Sequence, residues 1–369
     1  LVGAGLLMES LLKIRSGNPG FSTHGVVTTT IDLAGAGYDE QRAKNFDDEL
    51  MIRVQALPGV ESAALSRMTP LGYRAYSSSP IAVGGYQVPP EEQPTVEYNE
   101  VGPHYFVTMG IPLVTGREFT RADDENAALV AVVNETMAAQ FWKGKNPLGA
   151  RVQVKGRWMR VVGVARDSKY ESIREQPKLF FYVPLRQNFA VLPCLNVRTS
   201  LAPAVIAPAL ARAIRSLDGN LAPYEVIPTQ ELVDRSTSPQ QAAVTLLGVL
   251  GGLALVLAVI GLYGVMSYAV SQNTRELGLR MALGANSSEL LRLVMKQGLA
   301  LTACGVALGT AAALGSTRLL GDMLYQVSPR DPLAFGSAFA AMVIASTAAC
   351  LLPAWRAART DTIRALREG

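Results

Sequence analysis

The sequence predicts a membrane protein that combines a unit of α-helices with a large α+β domain exposed to water. Of the 369 residues, only 17% are charged, whereas soluble domains have roughly 25%. Charged residues occur at ordinary density up to Arg235, but three long runs after it contain none. The earlier part of the chain mixes the apolar spacings of strands and helices, which is typical of a folded domain.

We expect residues 1–16 to be the end of a transmembrane helix that begins upstream. About a dozen mostly apolar residues precede Lys13 and Arg15, with Glu9 among them. A complete span needs about 20 apolar residues, and the stretch lacks the basic start and cleavage site of a signal peptide. An amphipathic helix at the start of the α+β domain is the alternative.

Residues 17–240 are predicted to form the water-exposed domain, with two small α+β lobes. "VVTTTIDL" and "VESAALSRM" are typical of strands, and the helix-type spacing between them ends at Pro58-Gly59. This strand–helix–strand order is typical of ferredoxin-like split folds. Further strands and helices are predicted in "NAALVAVVNETMAAQFW", "RVQV", "WMRVVGVARD", "PKLFFYVPL", "LPCLNVRTS" and "APALARAIRSLDGN". We expect the second lobe to be inserted into the first or packed on it.

Residues 241–369 are predicted to form the helical membrane unit. Each charge-free run is long enough to cross a hydrocarbon core of about 30 Å as a helix. The runs place full transmembrane helices at about 244–270, 297–317 and 333–354. With the incomplete helix at 1–16, they make a unit of four membrane helices.

Two pairs of glycines are candidates for helix packing. Gly248 and Gly252 lie four residues apart in the first full span, and Gly305 and Gly309 have the same spacing in the second. Small residues at this spacing share one helix face, where a neighbouring helix can approach closely. The general enrichment of glycine in membrane helices is the alternative explanation.

The distribution of Lys and Arg predicts the orientation. The loop between the first two full spans carries Arg275, Arg280, Arg292 and Lys296, and the tail 355–369 carries four arginines, whereas the remaining loop has only two. Because basic loops stay on the cytoplasmic side, we place the first loop and the tail in the cytoplasm. The domain at 17–240 then lies outside it.

The segment 274–284 is predicted to be a short charged helix with a fixed end. Glu276 and Arg280 form an i,i+4 pair in the favoured order. Gly284 suits the left-handed position that ends a helix, and Asn286 can cap the next one. One face carries apolar residues, as a docking helix requires: Leu277, Met281 and Gly284. A helix lying on the membrane surface is the alternative.

The sequence lacks the motifs of a catalytic or cofactor site. "WKGKNPLG" has Asn146 where a phosphate-binding loop requires Ser or Thr, and neither a dinucleotide-binding fingerprint nor a zinc-protease motif is present. His24 and His104 are isolated, and nothing singles out a nucleophile for them. We therefore expect no catalysis, metal or cofactor. No basic stripe with aromatic residues indicates nucleic acid.

Two acidic runs lack the alternating ligand spacing of a calcium-binding loop. Asp123-Asp124-Glu125 is expected to support a turn, and Asp47-Asp48-Glu49 is expected to lie on a solvated helix face.

Several stretches resemble one known family. "GLYGVMSYAVSQNTRELGLRMALGANSSELLRLVMKQG" resembles the FtsX-like permease domain of MacB-type ABC transporters, and "LPAWRAARTDTIRALREG" is similar to its terminal stretch, with Thr362 where proline is usual. "FVTMGIPLVTGREFTRADDENAALVAVVNETMAAQFW" and "NPLGARVQV" look like its extracytoplasmic core domain. The sequence of the N-terminal and periplasmic parts is most similar to that of duplicated permeases of unknown substrate, in which two such units occupy one polypeptide. This chain would then be the later part of such a protein.

The family signature "TREIGIRMALGA" aligns with twelve consecutive positions. They are Thr274, Arg275, Glu276, Leu277, Gly278, Leu279, Arg280, Met281, Ala282, Leu283, Gly284 and Ala285. The resemblance implies that this segment is a coupling helix that docks in a separate ABC-type ATPase. It also implies a multi-pass protein of the bacterial inner membrane, a second permease unit as a dimer or an intrachain duplicate, and a periplasmic partner.

The resemblance further implies a non-catalytic permease that passes ATP-driven motion to its outer domain rather than opening a channel. The three full spans contain no ionisable residue, which disfavours a secondary transporter because a polar substrate or proton path usually needs one. The alternative is a membrane-anchored sensor or scaffold that regulates an envelope partner without transport.

Overall fold

The computed structural model describes residues 1–72, 77–86, 94–189, 193–272, 287–316 and 331–358. The chain divides into two compact units. Residues Asn18–Thr237 form an α+β unit, and residues Leu1–Gly17 with Ser238–Gly369 form a helical unit.

Before the long apolar helices begin, the described elements are mostly strands with helices between some of them. The strands are β1 Val26–Thr30, β2 Val60–Ser66, β3 Ser77–Val83, β4 Thr95–Val101, β5 Leu113–Gly116, β6 Val130–Asn134, β7 Arg151–Val154, β8 Arg157–Ala165, β9 Phe180–Pro184, β10 Cys194–Thr199 and β11 Ile227–Pro228. The helices are α1 Val2–Ser16, α2 Glu40–Gln55, α3 Tyr105–Met109, α4 Glu135–Trp142, α5 Pro203–Leu217, α6 Thr229–Gln272, α7 Ser287–Ser316 and α8 Pro332–Ala358.

The first lobe of the α+β unit has the ferredoxin-like arrangement predicted from the sequence. Its strands lie in the order β11-β1-β10-β2, and each pair of neighbours is antiparallel. Helix α2 connects β1 to β2, and α5 connects β10 to β11, which gives two split β-α-β units. The apolar faces of the helices and sheet share one core that includes Leu50, Leu65, Val197 and Ile214. Burial of these side chains is the main force that holds the lobe together.

The second lobe is inserted between β2 and β10. Its strands pair in a closed ring, β4-β3-β7-β8-β6-β9, which returns to β4 through a parallel pairing with β9. Strand β5 extends this lobe by pairing with β8. Because the ring is closed, each of these six strands has a partner strand on both sides. Helix α4 adds Met137 and Phe141 to the apolar core of the lobe. The prediction of two lobes is confirmed, and insertion is the one of its two alternative arrangements that the structure shows.

A buried polar network connects the two lobes where β2 approaches β4. The Asn99 side chain on β4 accepts a hydrogen bond from the Met68 backbone N–H at 3.2 Å and donates one to the Met68 carbonyl at 2.9 Å. On the first lobe, Thr69 donates to Asn196 at 3.0 Å, and Asn196 donates to Ser66 at 2.9 Å. Because water is excluded from these groups, each bond must be made within the protein.

The helical unit has the membrane-spanning character that the sequence predicts. Among the described residues, three helical segments are long and apolar enough to cross a bilayer: Thr229–Gln272, Met295–Gly315 and Pro332–Leu351. Helix α1 is shorter and lies beside α8, where Leu6 and Ala334 share a buried cluster. The predicted fold class, three long apolar helices with a shorter one at the start, is confirmed.

Helices α7 and α8 meet at Gly298. A side-chain carbon on this glycine would overlap the sulfur of Cys350, which is buried together with Met266. In contrast, a side-chain carbon on Gly305, two turns along the same helix, would meet no described atom within 4 Å. Gly298 is therefore the position on α7 where close helix packing requires the absence of a side chain.

Replacement of Gly298 by valine should destabilise the isolated chain by about 2 kcal/mol, because the added methyl groups push α7 away from α8. Gly305→Val is the matched control, since it adds the same side chain to an open face. Unfolding by SDS titration in mixed micelles measures both variants. Equal losses of stability in the two variants would show that Gly298 has no special packing role.

Candidate functional site

The predicted coupling helix lies outside the described residues. Helix α6 ends at Gln272 and α7 begins at Ser287, so the segment 274–284 and Ala285 fall between them. Its docking role stays a prediction. In the sequence, this segment lies between α6 and α7.

The four predicted packing glycines are all described. Gly248 and Gly252 lie on α6, and Gly305 and Gly309 lie on α7. A side-chain carbon at any of them would meet no described atom within 4 Å. Packing at these faces stays a prediction. Among the glycines of the described membrane helices, those where a side-chain carbon would meet an atom within 4 Å are Gly5, Gly251 and Gly298.

A cleft of about 530 Å³ opens between the two lobes of the α+β unit. One wall is the cleft side of α2, and the other comes from the loops after β4, β5 and β9. Apolar side chains and charged side chains both line it. Those used below are Asp47, Met51, Leu65, Phe119, Arg186 and Phe189.

Asp47 is the unusual residue of this cleft. Its side chain is only 4% exposed, and neither carboxylate oxygen accepts a hydrogen bond from any described residue. Burial raises the pKa of this carboxyl from 3.8 to about 8, although the positive charge of Arg186 partly offsets the effect. Asp47 is therefore a protonated acid at neutral pH, held in the wall of the cleft.

The expectation that this acidic run lies on a solvated helix face is wrong for Asp47. The buried stripe of α2 contains Ala43, Asp47, Leu50 and Val54, which recur at helical spacing. Asp48 and Glu49, in contrast, are exposed. The signal was present in the sequence, because Asp47 occupies a position of the apolar stripe, but three consecutive acids suggested a polar face.

The charged neighbours of Asp47 already have partners. Arg186 forms an ion pair with Asp48 and donates a hydrogen bond to the Lys44 carbonyl at 3.3 Å. The Lys44 ammonium lies 2.8 Å from Glu40 and 3.6 Å from Glu125, and hydrogen bonding to Glu40 contributes most to the raised pKa of Lys44. These pairs neutralise the cleft around Asp47 without satisfying its own oxygens.

The second acidic run supports a turn, as expected. Arg117 donates two hydrogen bonds to the Asp123 carboxylate, at 2.7 and 2.8 Å, and this pairing lowers the Asp123 pKa. Asp123 also accepts from the Thr120 backbone at 2.8 Å, and Asp124 accepts from the Asn126 backbone at 2.9 Å. Both carboxylates are occupied in fixing the loop after β5.

The two histidines lie at separate places in the α+β unit. His104 Nδ1, at the cleft, is 3.7 Å from Glu118, and burial raises the pKa of that carboxyl. His24 Nδ1 lies 2.8 Å from the hydroxyl of its neighbour Thr23 in an exposed turn. Within the part of the chain that is described, neither histidine is hydrogen-bonded between an acid and a nucleophile, as the catalytic histidine of a hydrolase would be.

The chain matches two family models. Residues 2–217 match a MacB-like periplasmic core domain, and residues 248–362 match an FtsX-like permease C-terminal domain. The first model covers α1 and the α+β unit up to the end of α5, and the second runs from within α6 to residue 362.

Individual proteins resemble the chain at low identity. The macrolide export ATP-binding/permease protein MacB of Azoarcus sp. (strain BH72) is 26% identical over 274 residues, which cover 71% of this chain and 41% of MacB. The uncharacterized ABC transporter permease YknZ of Bacillus subtilis is 22% identical over 383 residues, covering 100% of this chain and 90% of YknZ. The chain thus spans about two fifths of the length of the MacB relative.

One solved structure aligns with part of the chain. The periplasmic region of MacB from Actinobacillus actinomycetemcomitans aligns with a TM-score of 0.41 at 19% identity, covering 60% of this chain and 97% of that one. The core-domain model by itself matches more than half of the chain. The chain therefore belongs to the family of ABC transporter permeases that join a MacB-like periplasmic core domain to an FtsX-like permease domain.

Proposed function

We propose that the chain is the non-catalytic permease subunit of a mechanotransmission-type ABC transporter. A partner ABC-type ATPase hydrolyses ATP in the cytoplasm, and the chain converts this into movement of its α+β unit on the other side of a bacterial inner membrane. The proposal includes a second permease unit, either another copy or a duplicate in one polypeptide, and a periplasmic partner.

Helix α6 is the observation that carries this proposal. It is a single helix of 44 residues, which corresponds to about 66 Å at 1.5 Å per residue. A hydrocarbon core is about 30 Å thick, so the helix is about twice as long as a span requires. Its first residues, Thr229–Thr237, belong to the α+β unit, and the rest belong to the helical unit.

The first turns of α6 are fixed to the α+β unit. The buried Thr229 hydroxyl lies 3.0 Å from the Ser22 carbonyl and 2.9 Å from the Thr23 carbonyl. Six residues later, Arg235 pairs with Glu225 at 2.9 Å and with Glu231 at 2.6 Å. A displacement of this helix would therefore act on the β1 end of the first lobe directly.

The other end of α6 lies next to the predicted coupling helix. The helix ends at Gln272, two residues before Thr274. If an ATPase moves the segment 274–284, the shortest covalent path to the α+β unit is α6. This continuity supports transmission along the helix.

Reversing the charges of the predicted coupling helix tests the proposal. Arg275→Glu, Glu276→Lys and Arg280→Glu combined should reduce co-purification of a co-expressed ABC-type ATPase about tenfold or more, because like charges would face each other at the interface. Stimulation of ATP hydrolysis in nanodiscs should fall in parallel.

Arg292→Glu is the matched control, since Arg292 is an exposed basic residue on the same predicted side of the membrane. It should leave association unchanged. If the triple variant still bound and stimulated every ATPase that the original chain binds, the coupling-helix assignment would be wrong. The sensor or scaffold alternative also requires this contact, so the experiment tests the coupling that both functions share.

A further inference from the structure

We propose that the cleft between the two lobes binds a small organic cation, an amine carried on an apolar body, with Asp47 as its counter-ion. This inference does not rest on the permease mechanism. It follows from the chemistry of the cleft, and it would stand or fall whatever the coupling helix contacts.

The starting point is a buried acid without a hydrogen-bond partner. Asp47 lines the cleft, is 4% exposed, and receives no hydrogen bond on either oxygen from the described residues. Buried polar atoms in proteins nearly always have a partner, and leaving one unsatisfied costs about 1–3 kcal/mol or more. Both oxygens are almost inaccessible to solvent in the unliganded chain, so a ligand would supply the missing partner by packing directly against this side chain after a small rotation of the carboxyl group toward the cleft.

The charge pattern of the cleft favours a cation as that ligand. The other acids are already occupied: Asp48 by Arg186, Asp123 by Arg117, Glu125 by Lys44, and Asp124 by backbone N–H groups. An anion would add negative charge to a lining that has five carboxyl groups against two arginines, Arg121 and Arg186. Among the described residues, no three His, Cys, Asp or Glu side chains cluster as a metal ion would require. A single ammonium group matches a single free carboxyl.

The apolar lining favours an organic body for this cation. Met51, Leu65 and Phe119 face the cleft beside Asp47. Phe189 lies on the same cleft, with the Lys44 ammonium 5.5 Å from its ring centre. The volume of about 530 Å³ falls within the range of roughly 300–1,000 Å³ of small-molecule sites. The cleft can therefore bury an apolar group while Asp47 holds the charge.

Binding of an ammonium group would be coupled to proton release. The unliganded carboxyl is protonated at pH 7 because burial raises its pKa to about 8. A bound ammonium favours the carboxylate, so the Asp47 proton leaves to the buffer and the amine keeps its own. Affinity should then rise roughly eightfold from pH 7 to pH 8.5. The other charged groups facing the cleft are Asp48, His104, Arg121, Asp123, Asp124, Glu125 and Arg186.

Calorimetry on the full chain in nanodiscs tests this site with 2-phenylethylammonium and its neutral analogue 2-phenylethanol. The ammonium compound should bind at least about tenfold more tightly than the alcohol. Titration at pH 7 in phosphate and in Tris should reveal the release of nearly one proton per ligand. Empty nanodiscs give the background from lipid.

Asp47→Asn should lower the affinity for the ammonium compound about tenfold and abolish both proton release and the rise with pH. Glu49→Gln is the matched control: it neutralises an acid on the same helix that pairs with Arg53 outside the cleft, and it should bind as the original chain does. Equal binding of amine and alcohol, no binding at millimolar ligand, or no proton release in the original chain would each overturn the proposal without any variant.

Discussion

Replacement of Asp47 by asparagine is expected to stabilise the α+β unit at alkaline pH, by up to about 5 kcal/mol at pH 8.5. The pKa of this carboxyl is about 8 in the folded chain, against 3.8 for the ordinary side chain. Between these values the folded state binds a proton that the unfolded state has lost, so the free energy of unfolding falls as pH rises. Asparagine does not titrate, and its stability lacks this loss.

Hydrogen exchange of the β2 and β10 amides, followed at pH 5 and at pH 8.5, measures the effect. The original chain and Asp47→Asn should be closer in stability at pH 5 than at pH 8.5. At pH 8.5 the amides of the variant should exchange more slowly, once the rates are corrected for intrinsic exchange. Some pH dependence will remain, because burial also raises the pKa of Glu100 and Glu118. Glu49→Gln, a substitution on the exposed face of the same helix, should leave the slope unchanged. An Asp47→Asn variant that lost stability between pH 5 and 8.5 as steeply as the original chain would contradict the prediction.

Such a result would connect stability to function. A buried acid that weakens the fold at physiological pH is a candidate functional group, since substitutions that remove strain at a binding site often stabilise a protein at the expense of activity. If Asp47→Asn both stabilises the unit and loses the ammonium ligand, the two effects have one cause. The cleft would then be a binding site whose buried acid lowers the free energy of unfolding.

The sequence predicted the elements whose periodicity is regular. Strands β1 and β2, with α2 between them, follow from apolar spacing and a Pro-Gly stop, and the long helices follow from runs without charge. Strand β3 was not predicted, because three serines and Pro80 hide its pattern. Helix α3, with five residues, is too short to show a period. Ring closure by β4 and β9 joins residues about 80 positions apart, which no local pattern reveals.

The interior of the cleft was harder to predict than the fold. The stripe that contains Ala43 and Leu50 indicates which face of α2 is buried, but it does not reveal that Asp47 would lack a partner. That property depends on β9 and the loop after it, which bring Arg186 near α2 but into an ion pair with Asp48 instead. A hydrogen bond that is missing is a property of tertiary structure, and only the assembled lobes show it.

Asn99 is the side chain at the centre of the polar network between the lobes. This side chain is 0% exposed and exchanges two hydrogen bonds with the Met68 backbone. Its amide nitrogen also lies 3.4 Å from the Tyr105 hydroxyl, which is 2.8 Å from the Tyr170 hydroxyl. Burial raises the pKa of both tyrosines well above the usual value, so their hydroxyls stay protonated and need acceptors. No water reaches these groups to replace a lost partner.

Asn99→Leu should therefore destabilise the α+β unit by about 2–4 kcal/mol, because it leaves the buried Met68 N–H without its acceptor. The Met68 carbonyl loses one of its two donors and keeps the Ser66 hydroxyl at 2.9 Å. Asn45→Leu is the matched control: Asn45 is exposed on α2, accepts one hydrogen bond from Gln41 at 3.2 Å, and its replacement should change stability by no more than about 0.5 kcal/mol. Urea unfolding followed by hydrogen exchange measures both. Since Asn99 lies where β4 meets the chain after β2, the variant should also expose the Met68 amide before either lobe unfolds. A loss below about 1 kcal/mol, with Met68 still protected, would mean that apolar packing rather than this network holds the lobes together.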